Sequence, residues 1–317
     1  MTTTPDTERM TLRIGHSPDP DDAFMWYPLA NFVGPDGQTY TPKIDTGRYD
    51  FVHVLEDIQS LNERSARGEL EITALSIHQF PYVSDKYALT SCGSSMGDGY
   101  GPMVVAREQF DIAEFIHPLA TPTPADSKRP RLAIPGEQTS AWLAMQLLLL
   151  EHGAQPGEEL PVDYTVVPFD QIIPRVVSGE FDAGLIIHEG QLTYAKSGLK
   201  CLVDLGKWWT ETRELPLPLG GNAIRRDLGE QMPEVCRILL ESIRYALNHR
   251  EDSVKFALNW ARDMGDDLAD RFVGMYVNQW TLDYGDHGRE AVRRFITEAV
   301  DAGLVPDRGP LEFVDPA

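Results

Sequence analysis

The sequence predicts a two-lobed α/β fold with a ligand cleft between the lobes. At 317 residues the chain is longer than one compact core usually needs, which favours two lobes. Its apolar content of 42% and charged content of 24% are typical of a globular protein. Two separate passages also share one order of elements: a helix, a glycine, an acidic residue and a strand that ends in Ile-His.

A β-loop-α unit opens the chain. Residues 11–15 are predicted to form a strand, and the turn His16-Ser17-Pro18-Asp19-Pro20 ends it. A helix over residues 21–31 follows, because the prolines prevent an earlier start and Asp21 and Asp22 suit the positive end of a helix. Helix-end electrostatics explain this acidic cluster more simply than a cation site does.

The two similar passages supply the candidate histidines. The first passage has a predicted helix over residues 55–67, a strand over 71–75 and then His78. The second has a predicted helix over residues 170–177, a strand over 183–187 and then His188. Ligands of open α/β sheets bind beyond the carboxyl ends of strands, so a true repeat places both histidines at the mouth of the cleft. Chance similarity is the alternative, because this order of elements is common in α/β proteins.

Extended segments mark the crossings between the lobes. The segment 101–107 precedes a proline-rich stretch, 118–130, that is predicted to be a surface loop, and the segment 215–224 carries the chain back. Beyond it the chain is predicted to be mostly helical. The predicted lobes are 1–105 with 216–317 for lobe one, and 106–215 for lobe two.

The charge of the chain excludes several classes of partner. With 49 acidic and 28 basic residues, the net charge is -21, which repels nucleic-acid backbones and anionic membrane surfaces. A small anionic ligand is still compatible with this field, since helix N-termini and backbone N–H groups hold anions locally. The amino terminus has no signal-peptide pattern, and the longest apolar run, 141–150, is shorter than the ~20 residues of a spanning helix, so we expect a cytoplasmic protein.

His188 is the candidate acid/base residue. It follows a predicted strand directly, and histidine is the common proton-transfer group at neutral pH when a neighbour fixes its tautomer. Glu189 is adjacent to it in the sequence. A structural histidine in a turn is an equally good interpretation at this point. The spacing around His188 matches no metal motif, and the three cysteines are widely separated, so no metal site is expected.

A second candidate is the start of the helix predicted over residues 141–150. Thr139 or Ser140 is the natural N-cap, and the N–H groups behind it can hold a carboxylate. Capping alone is the more common role of such a pair. The glycine-rich segment 93–102 lacks the lysine of a phosphate-binding loop, and we interpret it as a wall of the cleft or an approach to the hinge.

Several motifs then resemble one known family. SPDPDDAF is similar to the SPCPNDTF-type opening of the 1,4-dihydroxy-6-naphthoate synthase family of the futalosine route to menaquinone, and the other similar segments are LNERSARGELEITALSIH, GYGPMVVAR, IPGEQTSAWL, FDAGLIIHEGQLTY, LGKWW and LPLPLG. The resemblance implies a type II periplasmic-binding-protein fold and a lyase that converts cyclic dehypoxanthine futalosine to 1,4-dihydroxy-6-naphthoate. It also implies that His188 is the proton acceptor and that no cofactor or metal is needed. The substrate-contact positions that it implies are Ala74, Leu75, Ser76, Thr139 and Ser140.

One motif departs from the family pattern. Cys-Pro-Asn-Asp-Thr becomes Asp19-Pro20-Asp21-Asp22-Ala23, which adds negative charge near the cleft and removes a hydroxyl. Carboxylates facing a carboxylate substrate weaken its binding, so a related enzyme that acts on another small carboxylate is one alternative. A non-catalytic solute-binding protein of the same fold is another. The sister enzyme that dehydrates chorismate is less compatible, because it lacks the HEG-type segment. The expected partner is a small-molecule carboxylate.

Overall fold

The computed structural model describes residues 9–116, 129–260 and 265–317, which form two β-sheets and the helices around them. The strands are β1 (Met10–His16), β2 (Tyr49–Leu55), β3 (Ile72–Ser76), β4 (Tyr87–Thr90), β5 (Ser95–Gly97), β6 (Met103–Ala106), β7 (Arg131–Ile134), β8 (Asp163–Val166), β9 (Ala183–Ile186), β10 (Lys200–Asp204), β11 (Leu217–Arg225) and β12 (Phe313–Val314). The proline-rich loop predicted at 118–130 lies, apart from its last two residues, outside the described residues.

The helices lie between and after these strands. They are α1 (Pro20–Trp26), α2 (Ile58–Arg67), α3 (Phe80–Val83), α4 (Ile112–Ile116), α5 (Ser140–Glu151), α6 (Phe169–Val177), α7 (Gly190–Thr193), α8 (Leu205–Arg213), α9 (Met232–Asn248), α10 (Arg250–Ala257), α11 (Asp266–Tyr276), α12 (Gln279–Leu282) and α13 (Gly285–Asp301). None of the helices in the described ranges combines the length and the apolar character needed to cross a membrane.

The two sheets use different parts of the chain. The first has the order β12-β4-β11-β3-β1-β2, with β5 paired to β11, and draws its strands from both ends of the chain. The second has the order β10-β6-β9-β7-β8 and uses the middle of the chain. Strand β6 spans residues 103–106, where the sequence places the first crossing. The lobe limits at 105 and 216 stay predictions.

Local signals explain where the elements near the cleft begin and end. Helix α1 is shorter than the predicted 21–31, because a 3₁₀ turn that contains Pro28 replaces its second half. Helix α2 begins at Ile58, three residues later than predicted. The Asp57 side chain caps the helix there by accepting hydrogen bonds from the backbone N–H groups of Gln59 and Ser60. Leu55 belongs to β2 instead.

Helix α5 lies at the centre of the largest apolar core. It is apolar around its whole circumference, which is typical of a buried helix. Its Leu143 belongs to the same core cluster as Leu75 of the first sheet and Leu132 of the second. Because α5 packs against side chains of both sheets, its amino terminus has a fixed position between them.

Candidate active site

A cleft lies where the carboxyl ends of strands from both sheets meet. It encloses about 760 Å³, including space open to solvent, which suits a small-molecule ligand. Its lining comes from the ends of β1, β3, β7 and β9 and from β5, β11 and α11. All six site residues predicted from the sequence are in this lining, namely Ala74, Leu75, Ser76, Thr139, Ser140 and His188. The structure brings these residues together, and their roles in binding and catalysis stay predictions.

The backbone of His188 is in an unusual conformation. Its φ is +53°, in the left-handed region, which residues with a side chain adopt at a cost of ~1–3 kcal/mol. The carbonyl of His188 accepts the N–H of Gln191 at 3.2 Å, and the ring of Phe169 meets the imidazole edge to face, with centroids 4.8 Å apart. The side chain is one-fifth exposed. These contacts hold a strained residue at the surface of the cleft.

The carboxylate of Asp19 faces this imidazole. Oδ2 of Asp19 lies 3.2 Å from Nδ1 of His188, and the same oxygen accepts the hydroxyl of Ser17 at 2.8 Å. A carboxylate beside Nδ1 favours a proton on that nitrogen and leaves Nε2 as the proton acceptor. From the sequence, Asp19 was expected to belong to an acidic cluster at a helix end and to add negative charge near the cleft, without a specific partner. The contact was missed because Asp19 and His188 come from different sheets and are distant in the sequence.

Two further acids, Asp21 and Asp22, line the same cleft. Burial raises the pKa of Asp21 to about 8, with the carboxylates of Asp22 and Asp19 adding to the effect. Burial also raises the pKa of Asp22 to about 7, although the N–H of Ser17, which donates to its Oδ2 at 2.8 Å, opposes the shift. Within the described ranges, no group of three or more His, Cys, Asp or Glu side chains is arranged to hold a metal ion.

The amino terminus of α5 presents N–H groups to the cleft. Thr139 is the N-cap, and its hydroxyl accepts the N–H of Trp142 at 3.2 Å and donates to the carbonyl of Gly136 at 2.8 Å. The hydroxyl of Ser140 donates to the carbonyl of Leu219. Both hydroxyls are therefore engaged within the protein. The first N–H groups of a helix have no partner inside it, so those of Ser140 and Ala141 can receive a ligand.

Ser76 differs from these two hydroxyl residues. Its Oγ accepts the side-chain amide of Asn62 at 3.1 Å, and the carbonyl oxygen of that amide accepts the N–H of Ser76 at 2.9 Å. In the hydrogen bonds of the described residues, the Ser76 hydroxyl only accepts. Its own hydrogen can therefore point to a ligand, which makes Ser76 the best hydroxyl donor of the three predicted.

His78 does not reach the cleft, so the expectation that both histidines lie at its mouth was wrong. The residue is 5% exposed, and its Nδ1 lies 3.1 Å from the carbonyl of Thr139. Its backbone N–H donates to the hydroxyl of Ser140 at 3.2 Å. Burial lowers the pKa of His78 to about 4, so it is a neutral residue that supports the start of α5.

Several residues of the lining carried no signal in the sequence. Asn222 is buried in the middle of β11 and donates to the carbonyl of Gly93 at 2.8 Å, while its Oδ1 has no partner. The hydroxyl of Tyr276 donates to Oε1 of Gln191 at 2.8 Å. Gly93 lies in the glycine-rich segment, whose interpretation as a wall of the cleft agrees with its place in the lining.

The sequence of the chain has close counterparts. The family described as menaquinone biosynthesis matches residues 12–301. A 1,4-dihydroxy-6-naphthoate synthase of Thermus thermophilus is 37% identical over 95% of this chain and 98% of its own length. A protein of the same name from Streptomyces coelicolor is 35% identical over 95% of this chain and 96% of its own length.

Solved structures share the architecture. A crystal structure of a protein from Archaeoglobus fulgidus is 37% identical, with a TM-score of 0.77, and the match covers 93% of this chain and 98% of that one. The ligand-binding component of an ABC-type import system from Staphylococcus aureus is 14% identical, with a TM-score of 0.65 over 97% of both chains, and shows the fold alone. The fold is thus two-lobed α/β of the periplasmic-binding-protein type, and the chain belongs to the menaquinone biosynthesis family.

Proposed function

We propose that the protein is a carbon–carbon lyase that converts cyclic dehypoxanthine futalosine to 1,4-dihydroxy-6-naphthoate, with His188 as the general base. The observation that carries the proposal is the imidazole of His188 in the cleft with the carboxylate of Asp19 at its Nδ1, 3.2 Å away. An oriented imidazole is the arrangement that proton abstraction requires near neutral pH. The names of the two curated relatives support the product, and the substrate is the one that the family resemblance implies.

The amino terminus of α5 is proposed to hold the substrate carboxylate. The N–H groups of Ser140 and Ala141 and the positive end of a twelve-residue helix favour an anion there. Thr139 contributes by fixing the first turn through its cap. The lining contains no lysine or arginine among the described residues, so backbone donors provide the charge complement.

The chemistry follows from this placement. Nε2 of His188 takes a proton from the substrate, and the electron pair that this proton leaves behind forms a new π bond. The pair of the breaking carbon–carbon bond passes to an adjacent carbonyl group, whose oxygen gains the negative charge. The Ser76 hydroxyl and the N–H groups of α5 are the donors that stabilise this oxygen. Fixing base and donors on separate elements around one cleft supplies the positioning that such a step needs.

The alternatives are a solute-binding protein and an enzyme for another small carboxylate. The Staphylococcus aureus neighbour is a ligand-binding component, and its likeness concerns the fold only. A protein that only binds a ligand has no need of a strained histidine beside a buried carboxylate, and this observation favours an enzyme.

An activity assay tests the proposal. Purified protein is incubated with cyclic dehypoxanthine futalosine, and release of the naphthoate is followed by chromatography and mass. We expect product with the wild type, no detectable turnover with His188→Ala, and substrate binding largely retained in that variant. His152→Ala, at an exposed histidine of the same lobe, is the matched control. Absence of product from the wild type, or normal turnover by His188→Ala, would contradict the proposal.

A further inference from the structure

Three carboxyl groups crowd the start of α1, and they have different partners. Asp22 accepts the N–H of Ser17 at 2.8 Å. Asp19 accepts the hydroxyl of Ser17 at 2.8 Å and lies 3.2 Å from His188. Hydrogen-bond donors favour the ionised form of a carboxyl group. Asp19 and Asp22 thus each accept a hydrogen bond from Ser17.

Asp21 is surrounded differently. The groups close enough to influence its charge are the carboxyl groups of Asp22 and Asp19 in its own segment, His188 in the loop after β9 and the phenol of Tyr276 in α11. No side chain donates a hydrogen bond to Asp21 among those described. Burial and like charge both disfavour its ionised form, which agrees with its raised pKa. Asp21 is thus the carboxyl group of the cluster that most readily keeps a proton.

The lack of cationic side chains among the described residues of the cleft makes the protonation state of Asp21 important for binding an anionic ligand. The chain has a net charge of -21, and the described residues of the lining include no lysine or arginine. An ionised Asp21 would repel an anionic ligand, whereas a neutral carboxylic acid presents an O–H donor to it. Asp21 lines the cleft together with His188 and Ser76, so the donor is directed at the same ligand.

We propose that Asp21 keeps its proton at neutral pH and donates a hydrogen bond to an anionic group of the substrate, acting as a specificity-determining residue. The identity of that substrate rests on the function proposed above. Loss of the proton replaces the donor with a negative charge, so the cleft loses affinity for the anion as pH rises. The two other acids keep their roles beside Ser17 and His188.

The pH dependence of KM tests this role. For the wild type we expect KM for cyclic dehypoxanthine futalosine to rise about tenfold between about pH 7 and about pH 9, as the proton is lost. Asp21→Asn keeps the size and an N–H donor but cannot ionise, so its KM should vary much less with pH over this range than that of the wild type. Asp21→Ala should show a raised KM throughout. If the pH dependence of KM came from titration of the substrate itself, it would persist in Asp21→Asn, so this variant separates titration of Asp21 from titration of the substrate.

Infrared spectroscopy of the ligand-free protein tests the proton without turnover. The C=O stretch of protonated carboxyl groups should be stronger by one group in the wild type than in Asp21→Asn at about pH 6, and this difference should vanish by about pH 9. Asp301→Asn, at an exposed residue at the end of α13, should match the wild type in spectrum and activity. Equal spectra for wild type and Asp21→Asn, or a KM of Asp21→Asn that rises as in the wild type, would overturn the inference. Absence of turnover would overturn the proposed function, and the spectra would still decide the state of Asp21.

Discussion

Oδ2 of Asp19 and Nδ1 of His188 lie 3.2 Å apart, although one residue follows a strand of the first sheet and the other a strand of the second. The pair exists only because the two sheets approach each other at the cleft. Its geometry gives the imidazole a preferred tautomer, and that preference is a property of the folded chain as a whole.

Asp19→Asn should lower kcat by about 100-fold or more and change KM little. An amide that turns its NH₂ toward Nδ1 favours the tautomer with the proton on Nε2, and that tautomer cannot act as the base. Steady-state kinetics across a pH series measure the effect, and the shape of the kcat profile should change with the variant. A rise in KM with an unchanged kcat would show instead that Asp19 contributes to binding of the substrate.

A second contact joins α2 to the loop before α5. The side-chain amide of Gln59 donates to Oε1 of Gln138 at 2.9 Å. Gln59→Ala removes this bond, and we expect KM to rise about two- to tenfold, the effect of one hydrogen bond, with a smaller change in kcat. Solution scattering should show that substrate reduces the radius of gyration of the wild type, and reduces that of the variant less.

Gly136→Ala provides an independent test of the same contact. A methyl group at position 136 would overlap with Oε1 of Gln59 and displace that flexible side chain, and it would lie 3.3 Å from Cγ2 of Thr139, while the backbone of residue 136 accommodates alanine. The two variants should therefore have similar effects. Gln155→Ala, at an exposed glutamine of the second lobe, is the control. If substrate left the scattering profile of the wild type unchanged, the prediction that substrate brings the two lobes closer together would be wrong.

The buried imidazole of His78 should make the stability of the folded protein depend on pH. Its pKa is lowered to about 4 in the folded protein, below the ordinary value of 6.5, so the stability that it contributes is complete above about pH 6.5 and is lost as pH falls toward 4. The free energy of unfolding of the wild type, relative to His78→Gln, should decrease by about 1.4 kcal/mol per pH unit over this range. Urea denaturation at several pH values measures it. A difference that stays constant with pH would mean that His78 has the same pKa in the folded and unfolded states.

Short-range signals predicted much of the fold and part of the site. The Thr-Ser pair before an apolar run correctly indicated the start of α5, and the position of His188 after a strand placed it in the cleft. Helix α2 was extended too far because the apolar residues of the preceding strand fit a helical pattern equally well. Asp19 and Asn222 could not be assigned from the sequence, because their partners depend on how distant strands pair.

Because Asp19 and His188 follow strands of separate sheets, the distance between the imidazole and its carboxylate depends on how the two sheets are held together. A substitution in the packing between the sheets, far from the cleft, can therefore change which nitrogen of His188 carries the proton. The reactivity of this imidazole is thus sensitive to the whole contact between the sheets as well as to its nearest neighbours.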